Sequence, residues 1–169
     1  MDDALVFFAR WVPYLLVIGF FVLLVGVKGF RLRLFFFIEA AIAGLLARGL
    51  IAETIYFFYD RARPFASLGF EPLLVHPADP SFPSGHAAFF FALAVVVYAI
   101  NRRWGITYFV LTVLVVLSRV ASGVHWPTDI LAGAAIGLAC GWLVVRFVGP
   151  FRPVVKDLAE SDIIKENQG

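Results

Sequence analysis

Long apolar runs separated by short polar islands dominate the chain. Five segments approach the length of about 20 apolar residues that a helix needs to cross a bilayer, roughly 5–27, 34–58, 85–100, 105–121 and 129–148. The third and fourth runs are short, but they reach that length if their helices continue through the polar residues at 84–86 and 118–119. The pattern predicts an all-α, polytopic membrane bundle of about five transmembrane helices.

Composition supports a membrane protein made of one domain. Hydrophobic residues make up 62% of the 169 positions, charged residues 15%, and the mean hydropathy is +0.90, far from the balance of a soluble domain. A net charge of +2 with scattered basic residues argues against nucleic acid as a partner. The chain has no linker or repeat, so we expect a single membrane-embedded domain over 1–153, followed by a polar cytoplasmic tail over 154–169. Asp2, Asp3 and Lys28 do not fit a cleaved signal peptide, so the first segment is predicted to be a retained span.

Basic residues predict the orientation of the bundle. With five spans, they gather on one side, at Lys28, Arg31, Arg33, Arg102, Arg103, Arg146, Arg152 and Lys156. Cytoplasmic loops are enriched in Lys and Arg. The loops at 60–83 and 122–128, which hold the polar motifs, are therefore predicted to lie on the extracytoplasmic side.

The sharpest polar pattern is Ser118-Arg119, then five residues, His125, three residues, and Asp129. If a helix begins near Pro127, a favoured first-turn residue, Asp129 can accept a hydrogen bond from one nitrogen of the His125 ring. The other nitrogen then keeps a free lone pair, and the carboxylate makes it more basic. The pair predicts an activated nucleophile. It fits equally well an interfacial histidine beside a helix-capping aspartate.

A second polar island, Pro83-Ser84-Gly85-His86, begins the third span. Backbone N–H groups at a helix N-terminus attract anions, Gly85 allows close approach of a ligand to the backbone, and the Ser84 hydroxyl adds a donor. His86 is placed to protonate a departing oxygen. The alternative is an ordinary helix start with Ser84 as its N-cap.

Two arginines, Arg63 and Arg119, come from different parts of the chain and stand at the edge of the hydrocarbon. Unpaired charges there are costly, and a guanidinium matches the geometry of phosphate oxygens. Together they predict a site for a phosphoryl group. Either arginine could instead extend towards the lipid headgroups.

In order and spacing, the Arg-Pro, Pro-Ser-Gly-His and Ser-Arg-x5-His-x3-Asp motifs resemble those of the PAP2 (type 2 phosphatidic acid phosphatase) superfamily of membrane lipid phosphatases. The resemblance covers about residues 56–129. It implies a mechanism without metal or cofactor, in which His125 attacks phosphorus, Asp129 orients it and His86 protonates the leaving group. It also implies that Arg63, Arg119, Ser84 and the Gly85 backbone bind the phosphoryl oxygens.

One position departs from the family pattern. The family usually has a lysine seven residues before its first arginine, where this chain has Tyr56. Tyr56 is a candidate either to donate its hydroxyl to the site or to be an interfacial aromatic residue, and Arg61 is a candidate to replace the missing cation. Glu53 could reach the inner edge of the site. Arg48 would be too deep for the phosphate in a continuous helix, so structural pairing is predicted for Glu39 and Arg48.

The stretch from His76 to Ser84, with Tyr59 to Phe65 and the absent lysine, is similar to the bacterial undecaprenyl-diphosphatase branch. By resemblance, the substrate is undecaprenyl diphosphate, hydrolysed at the outer face of the bacterial cytoplasmic membrane in recycling of the wall-synthesis carrier, which counters bacitracin. A phosphatase of a lipid monophosphate (phosphatidate, phosphatidylglycerophosphate or lipid A) stays open, as does a phosphotransferase or a non-catalytic lipid-binding protein. The oligomeric state is not predicted.

Two further patterns concern packing and access. Gly133, Gly137 and Gly141 recur every four residues and predict a close helix contact within the monomer, with a dimer face as the alternative. The loop at 66–80 contains glycines and prolines that predict an irregular segment, which could close over the substrate.

Overall fold

The structure, a computed structural model, describes residues 2–77 and 79–157, which contain helices and no strand. The first half comprises α1 (Asp2–Arg10), α2 (Val12–Gly26), α3 (Phe30–Gly44), a π-helix (Leu45–Ala52), α4 (Glu53–Phe58) and α5 (Pro64–Leu68). The second half comprises α6 (Gly85–Ile100), α7 (Arg102–Ala121), α8 (Pro127–Val148) and a 3-10 turn (Gly149–Phe151). The predicted all-α class is confirmed.

All five predicted segments are helical, but they differ in length. Within the described residues, three helices are long and apolar enough to cross a membrane, namely Phe30–Phe58, Arg102–Ala121 and Pro127–Asp157. The first segment is a pair of helices bent by 41°, which makes a fourth span if counted as one. The third, α6, is apolar but has 16 residues. The predicted count of five is therefore approximate. Of the predicted tail, residues 158–169 lie outside the described part.

Helix α6 is the centre of the bundle and packs against α3, α7 and α8. Small residues on α6 allow this, because Ala87, Ala88, Ala92 and Ala94 are fully buried. On the facing side of α8, a Cβ added to Gly133, Gly137 or Gly141 would overlap atoms of α6. The prediction that these glycines serve a helix contact within the monomer is confirmed.

The charged residues inside the second span have partners that differ from the expected ones. Glu39 is fully buried and accepts hydrogen bonds from Arg152, at 2.7 Å from Nη2 and 3.2 Å from Nε. Arg152 was expected only to set topology, yet its Nη1 also donates to the Ala99 carbonyl at 3.0 Å. Structural pairing is thus confirmed for Glu39, with Arg152 as its partner. Arg48 instead pairs with Glu53.

The element ends that carry the motifs meet at one end of the bundle. The starts of α6 and α8 are joined by a backbone hydrogen bond from Ser84 N to the Asp129 carbonyl, 2.9 Å long. Arg63 has an extended conformation before Pro64, the first residue of α5, as expected for a residue that precedes proline. The predicted irregular loop at 66–80 is confirmed from Gly69 onwards, where the described residues have no regular structure, but residues 66–68 belong to α5.

Candidate active site

A cavity of about 340 Å³ opens between α4, the irregular loop, the start of α6 and the end of α7. Its wall contains seven of the residues selected from the sequence, namely Glu53, Tyr56, Arg63, Gly85, His86, Arg119 and His125. It also contains four that were not selected for the site, namely Arg48, His76, Asp79 and Pro80. Three other sequence candidates, Arg61, Ser84 and Asp129, lie behind this wall.

His125 follows the turn that links α7 to α8, and its side chain is buried. Gly123 makes the turn with a φ of 76°, a conformation that favours glycine. The Nδ1 atom lies 3.0 Å from the Ser81 carbonyl oxygen. A carbonyl can only accept a hydrogen bond, so Nδ1 carries the proton and Nε2 keeps its lone pair. Nε2 lies 3.5 Å from Nη1 of Arg63, at the cavity wall.

Asp129 combines the two roles that its spacing left open. One carboxylate oxygen, Oδ2, accepts a hydrogen bond from the Trp126 backbone at 2.8 Å and so caps the start of α8. The same oxygen lies 3.5 Å from Nδ1 of His125. This is longer than the distance from Nδ1 to the Ser81 carbonyl, so the carbonyl is the main partner of His125 and the carboxylate is a second one.

Burial is the largest cause that lowers the pKa of His125, the positive charges of Arg119 and Arg63 lower it as well, and the resulting pKa is about 4. The Asp129 carboxylate raises the pKa, chiefly through its hydrogen bond to the ring, but this effect is smaller than that of burial. The expectation that the carboxylate makes the ring more basic agrees with the direction of the Asp129 effect, although the net pKa of His125 is lowered. The ring is neutral at pH 7, the state in which Nε2 is a nucleophile.

The two arginines at the cavity wall differ in how they are held. Arg63 is 3% exposed and donates to Asp79 Oδ1 at 3.0 Å and to the carbonyls of Val124 at 2.8 Å and Pro80 at 3.1 Å. These bonds fix its guanidinium. Arg119 is 5% exposed, and its buried Nε has no hydrogen-bond partner among the described residues. A buried donor left unsatisfied is costly, so this side of the cavity is suited to an anionic ligand.

The start of α6 shows the capping arrangement that was left open for Ser84. Its Oγ accepts a hydrogen bond from Ala87 N at 3.4 Å, and the residue is fully buried. A role for its hydroxyl in phosphate binding stays a prediction. Gly85 and His86, the next two residues, reach the cavity wall.

The structure changes which arginine can replace the lysine that is absent at position 56. Arg61 does not line the cavity, because its Nη1 donates to Asp129 Oδ1 at 2.8 Å and to Thr128 at 2.6 Å. Its guanidinium therefore neutralises a buried carboxylate behind the nucleophile. Arg48 was expected to be too deep, and that is wrong. It lines the cavity with Arg63, since α4 ends at Phe58 and the helix is not continuous to residue 63. Tyr56 lies beside it at the wall.

Sequence reasoning missed the groups that hold the predicted residues. The Ser81 carbonyl and the Asp79 carboxylate position His125 and Arg63. A backbone carbonyl has no signature in a sequence. Asp79 lies in the stretch that carries the resemblance to undecaprenyl-diphosphatases, and that stretch was the available signal.

An imidazole lone pair, two buried guanidiniums and a helix N-terminus around one cavity suit attack at phosphorus. Comparison with known proteins agrees with this chemistry, since residues 37–153 match the PAP2 superfamily. The chain belongs to this superfamily. The resemblance inferred from the motifs is confirmed.

Two bacterial proteins are among the known proteins that are similar to this chain. The chain is 31% identical over 140 residues to the bacitracin transport permease protein BcrC of Bacillus licheniformis, covering 82% of this chain and 67% of that protein. It is 34% identical over 114 residues to the undecaprenyl-diphosphatase BcrC of Bacillus subtilis (strain 168), covering 68% of this chain and 57% of that protein. The matched part thus spans little more than half of the second relative.

Other similar proteins carry different names. A lipid A 1-phosphatase of Rhizobium etli is 34% identical over 103 residues, which cover 56% of this chain and 41% of that protein. Among solved structures, the crystal structure of Aquifex aeolicus LpxE superposes with a TM-score of 0.69 at 29% identity, covering 84% of this chain and 85% of the other. The membrane fold is therefore shared across proteins with different names.

Proposed function

We propose that this protein is a membrane lipid phosphatase that hydrolyses undecaprenyl diphosphate to undecaprenyl phosphate and inorganic phosphate. The observation that carries the proposal is the cavity in which the unprotonated Nε2 of His125 lies beside the buried guanidiniums of Arg63 and Arg119. Membership of the PAP2 superfamily supports the reaction class.

The proposed reaction has two steps. Nε2 of His125 forms a bond to the distal phosphorus, the bridging P–O bond breaks, and His86, protonated while the anionic substrate is bound, gives its proton to the departing oxygen and becomes neutral. Water then attacks the phosphohistidine, His86 takes a proton from it, and the N–P bond breaks to release phosphate and neutral His125. Arg63, Arg119 and the Gly85 backbone bind the phosphoryl oxygens, Ser84 supports them by capping the start of α6, and guanidiniums stabilise the charge that develops on the oxygens.

A diphosphate is favoured as substrate on chemical grounds and by similarity. A lipid phosphate is a better leaving group than a lipid alkoxide, so less is required of His86. The name of the B. subtilis relative points the same way. A lipid monophosphate is the second candidate, favoured by the similarity to a lipid A 1-phosphatase.

Purified protein and its His125→Ala variant, assayed for phosphate release in EDTA, test the mechanism. We expect wild-type turnover under chelation, a radiolabelled phosphoenzyme that is stable to base and labile to acid, and loss of both in the variant. Thermal unfolding in detergent checks that the variant is folded. Release that is unchanged in His125→Ala would remove this residue as the nucleophile.

A substrate panel tests the lipid. Undecaprenyl diphosphate, undecaprenyl phosphate, phosphatidate and lipid A are compared by kcat/KM under the same conditions. Faster turnover of any monophosphate than of the diphosphate would favour the second candidate. Phosphate passed to an added alcohol or lipid instead of water would identify a phosphotransferase.

The site is proposed to face the extracytoplasmic side of the bacterial cytoplasmic membrane. The basic residues at Arg102 and Arg103 support this, since they follow α6 at the end opposite to its start at the cavity. In a Cys140→Ala background, we expect an impermeant maleimide to label Glu71→Cys in intact cells and to label Arg103→Cys after lysis alone. The reverse pattern would invert the orientation.

A further inference from the structure

Arg48 lies at the cavity wall although no motif of the sequence includes it. It belongs to the π-helix Leu45–Ala52, which interrupts the second span between α3 and α4. π-Helical turns are rare in proteins, and those that occur are frequently found at functional sites. Their i→i+5 repeat places residues five positions apart on the same face, which accounts for the pairing of Arg48 with Glu53.

Gly85 makes room for the Arg48 side chain beside the start of α6. A Cβ added to Gly85 would overlap Nε and Cδ of Arg48. The guanidinium therefore adjoins the helix N-terminus at which an anion is favoured, one residue from His86. Arg48, Arg63 and Arg119 all border the same cavity.

The contacts of Arg48 are more exposed than those of Arg63, so a ligand can replace them. Its Nη1 contacts the Glu53 carboxylate, and its Cζ lies 5.4 Å from the centre of the Tyr56 ring. The Arg48 and Glu53 side chains are 39% and 53% exposed. An ion pair this exposed contributes little to stability. A phosphate can therefore replace the Glu53 carboxylate as the partner of Arg48 at a small cost in free energy.

A second cavity, apolar and about 420 Å³, lies between α2, α3 and α6 and reaches Arg48. We call it the apolar groove, and it is lined by Val17, Phe20, Phe21, Phe37, Ala40, Ala41, Gly44, Leu45, Arg48, Gly49, Phe89 and Leu93. Among the described residues, Arg48 is the one charged residue in the wall of the groove, and it is also a wall residue of the phosphate cavity. It stands where an apolar chain in the groove would join a phosphate in the cavity.

We propose that Arg48 binds the phosphate attached to the lipid chain, and thereby makes the site selective for lipid diphosphates over lipid monophosphates. This inference rests on the proposed function. With the distal phosphorus next to His125, the departing lipid phosphate lies towards the groove, and Arg48 neutralises the charge that it gains as the P–O bond breaks. Arg48 thus supplies the cation that is absent at Tyr56.

The test compares the same prenyl chain as diphosphate and as monophosphate, so that effects on chain binding cancel. We expect Arg48→Gln to lower kcat/KM for the diphosphate on the order of 10- to 100-fold, the value of a hydrogen bond between charged groups, and at least tenfold more than for the monophosphate. Arg48→Lys should recover most of the loss, because the charge is retained. Glu53→Gln, which leaves Arg48 charged, should keep the preference for the diphosphate.

The outcomes separate the two proposals. Wild-type protein that is inert towards the diphosphate overturns the proposed function. Wild-type turnover with an equal loss on both substrates in Arg48→Gln, or with no loss, overturns the assignment of Arg48 alone. Thermal unfolding in detergent is measured for both Arg48 variants, and a fall in the diphosphate preference of a folded Arg48→Gln variant that Arg48→Lys restores supports the assignment.

Discussion

At the scale of single residues, the main feature of the site is the set of groups that hold His125. The Ser81 carbonyl fixes the proton on Nδ1, and the Asp129 carboxylate lies next to the same atom. Asp129 is itself fully buried and neutralised by Arg61, whose Cζ lies 5.4 Å from the centre of the Trp126 ring. The nucleophile is thus backed by a carbonyl and a paired carboxylate, which orient it without making it cationic.

This arrangement predicts the protonation of His125. Because burial and the guanidiniums of Arg119 and Arg63 outweigh Asp129, its pKa is lowered to about 4. A lowered pKa means that the neutral form persists as pH falls below 6.5 and is lost only as pH falls through about 4. ¹⁵N-histidine NMR in detergent should show a neutral ring with Nδ1 protonated at pH 6.

The His125→Ala variant assigns the signal among the three histidines. A midpoint near the ordinary value of 6.5, or a proton on Nε2, would contradict the environment described for the ring. An acid limb of kcat/KM that follows the NMR midpoint would link this group to activity.

At this scale, the sequence predicts some residues of the site and misses others. His86, Arg119 and His125 lie at one cavity as their spacing predicts, because each adjoins the end of a helix that an apolar run predicts. Arg63 reaches the same cavity from the start of the short α5, which no apolar run predicts. The sequence does not reveal that Arg48 reaches the cavity, because a regular helix through residue 63 would place it too deep and the hydropathy pattern of a π-helix does not differ from that of an α-helix. The Asp79–Arg63 pair joins distant parts of the chain through an irregular loop, which no periodicity reveals.

At the scale of elements, the contact between α6 and α8 positions the site. Helix α6 carries Gly85 and His86 at its start, and α8 carries Asp129 in its first turn. Gly137 faces the Ala88 carbonyl so closely that an added Cβ would overlap it. Since the backbone bond from Ser84 to Asp129 joins the two helix starts, the distance between these helices determines the geometry of the cavity.

Gly137→Ala is therefore expected to destabilise the protein by about 1–3 kcal/mol, the usual cost of overpacking, and to reduce activity by separating the helix starts. Thermal unfolding in detergent and kcat/KM measure the two effects. Gly26→Ala is the matched control, because an added Cβ there has nothing within 4 Å. Equal behaviour of the two variants would show that the glycine face does not set the helix separation.

At the scale of the whole molecule, the apolar runs predicted the class and the order of the helices. Hydropathy reports which residues avoid water, so it finds helices that cross a bilayer. It does not report the 41° bend in the first segment or the short length of α6, which depend on packing between helices. Hydropathy also does not report the ion pair between Glu39 and Arg152, because it joins residues 113 positions apart.

This pair yields a prediction for the end of the molecule away from the site. Glu39 is fully buried, and removing one partner of a buried pair costs about 3–5 kcal/mol because the other charge is left unpaired. Arg152→Met should therefore lower the unfolding temperature in detergent strongly, and adding Glu39→Gln should recover part of the loss. Arg146→Met, at an exposed position of α8, is the control. Helix α8 runs from Pro127 to Val148, so its far end lies about 29 Å from Asp129 along the helix axis. The preference for diphosphate over monophosphate should therefore not change while the protein is folded. A double variant as unstable as Arg152→Met would mean that the loss does not come from the unpaired carboxylate.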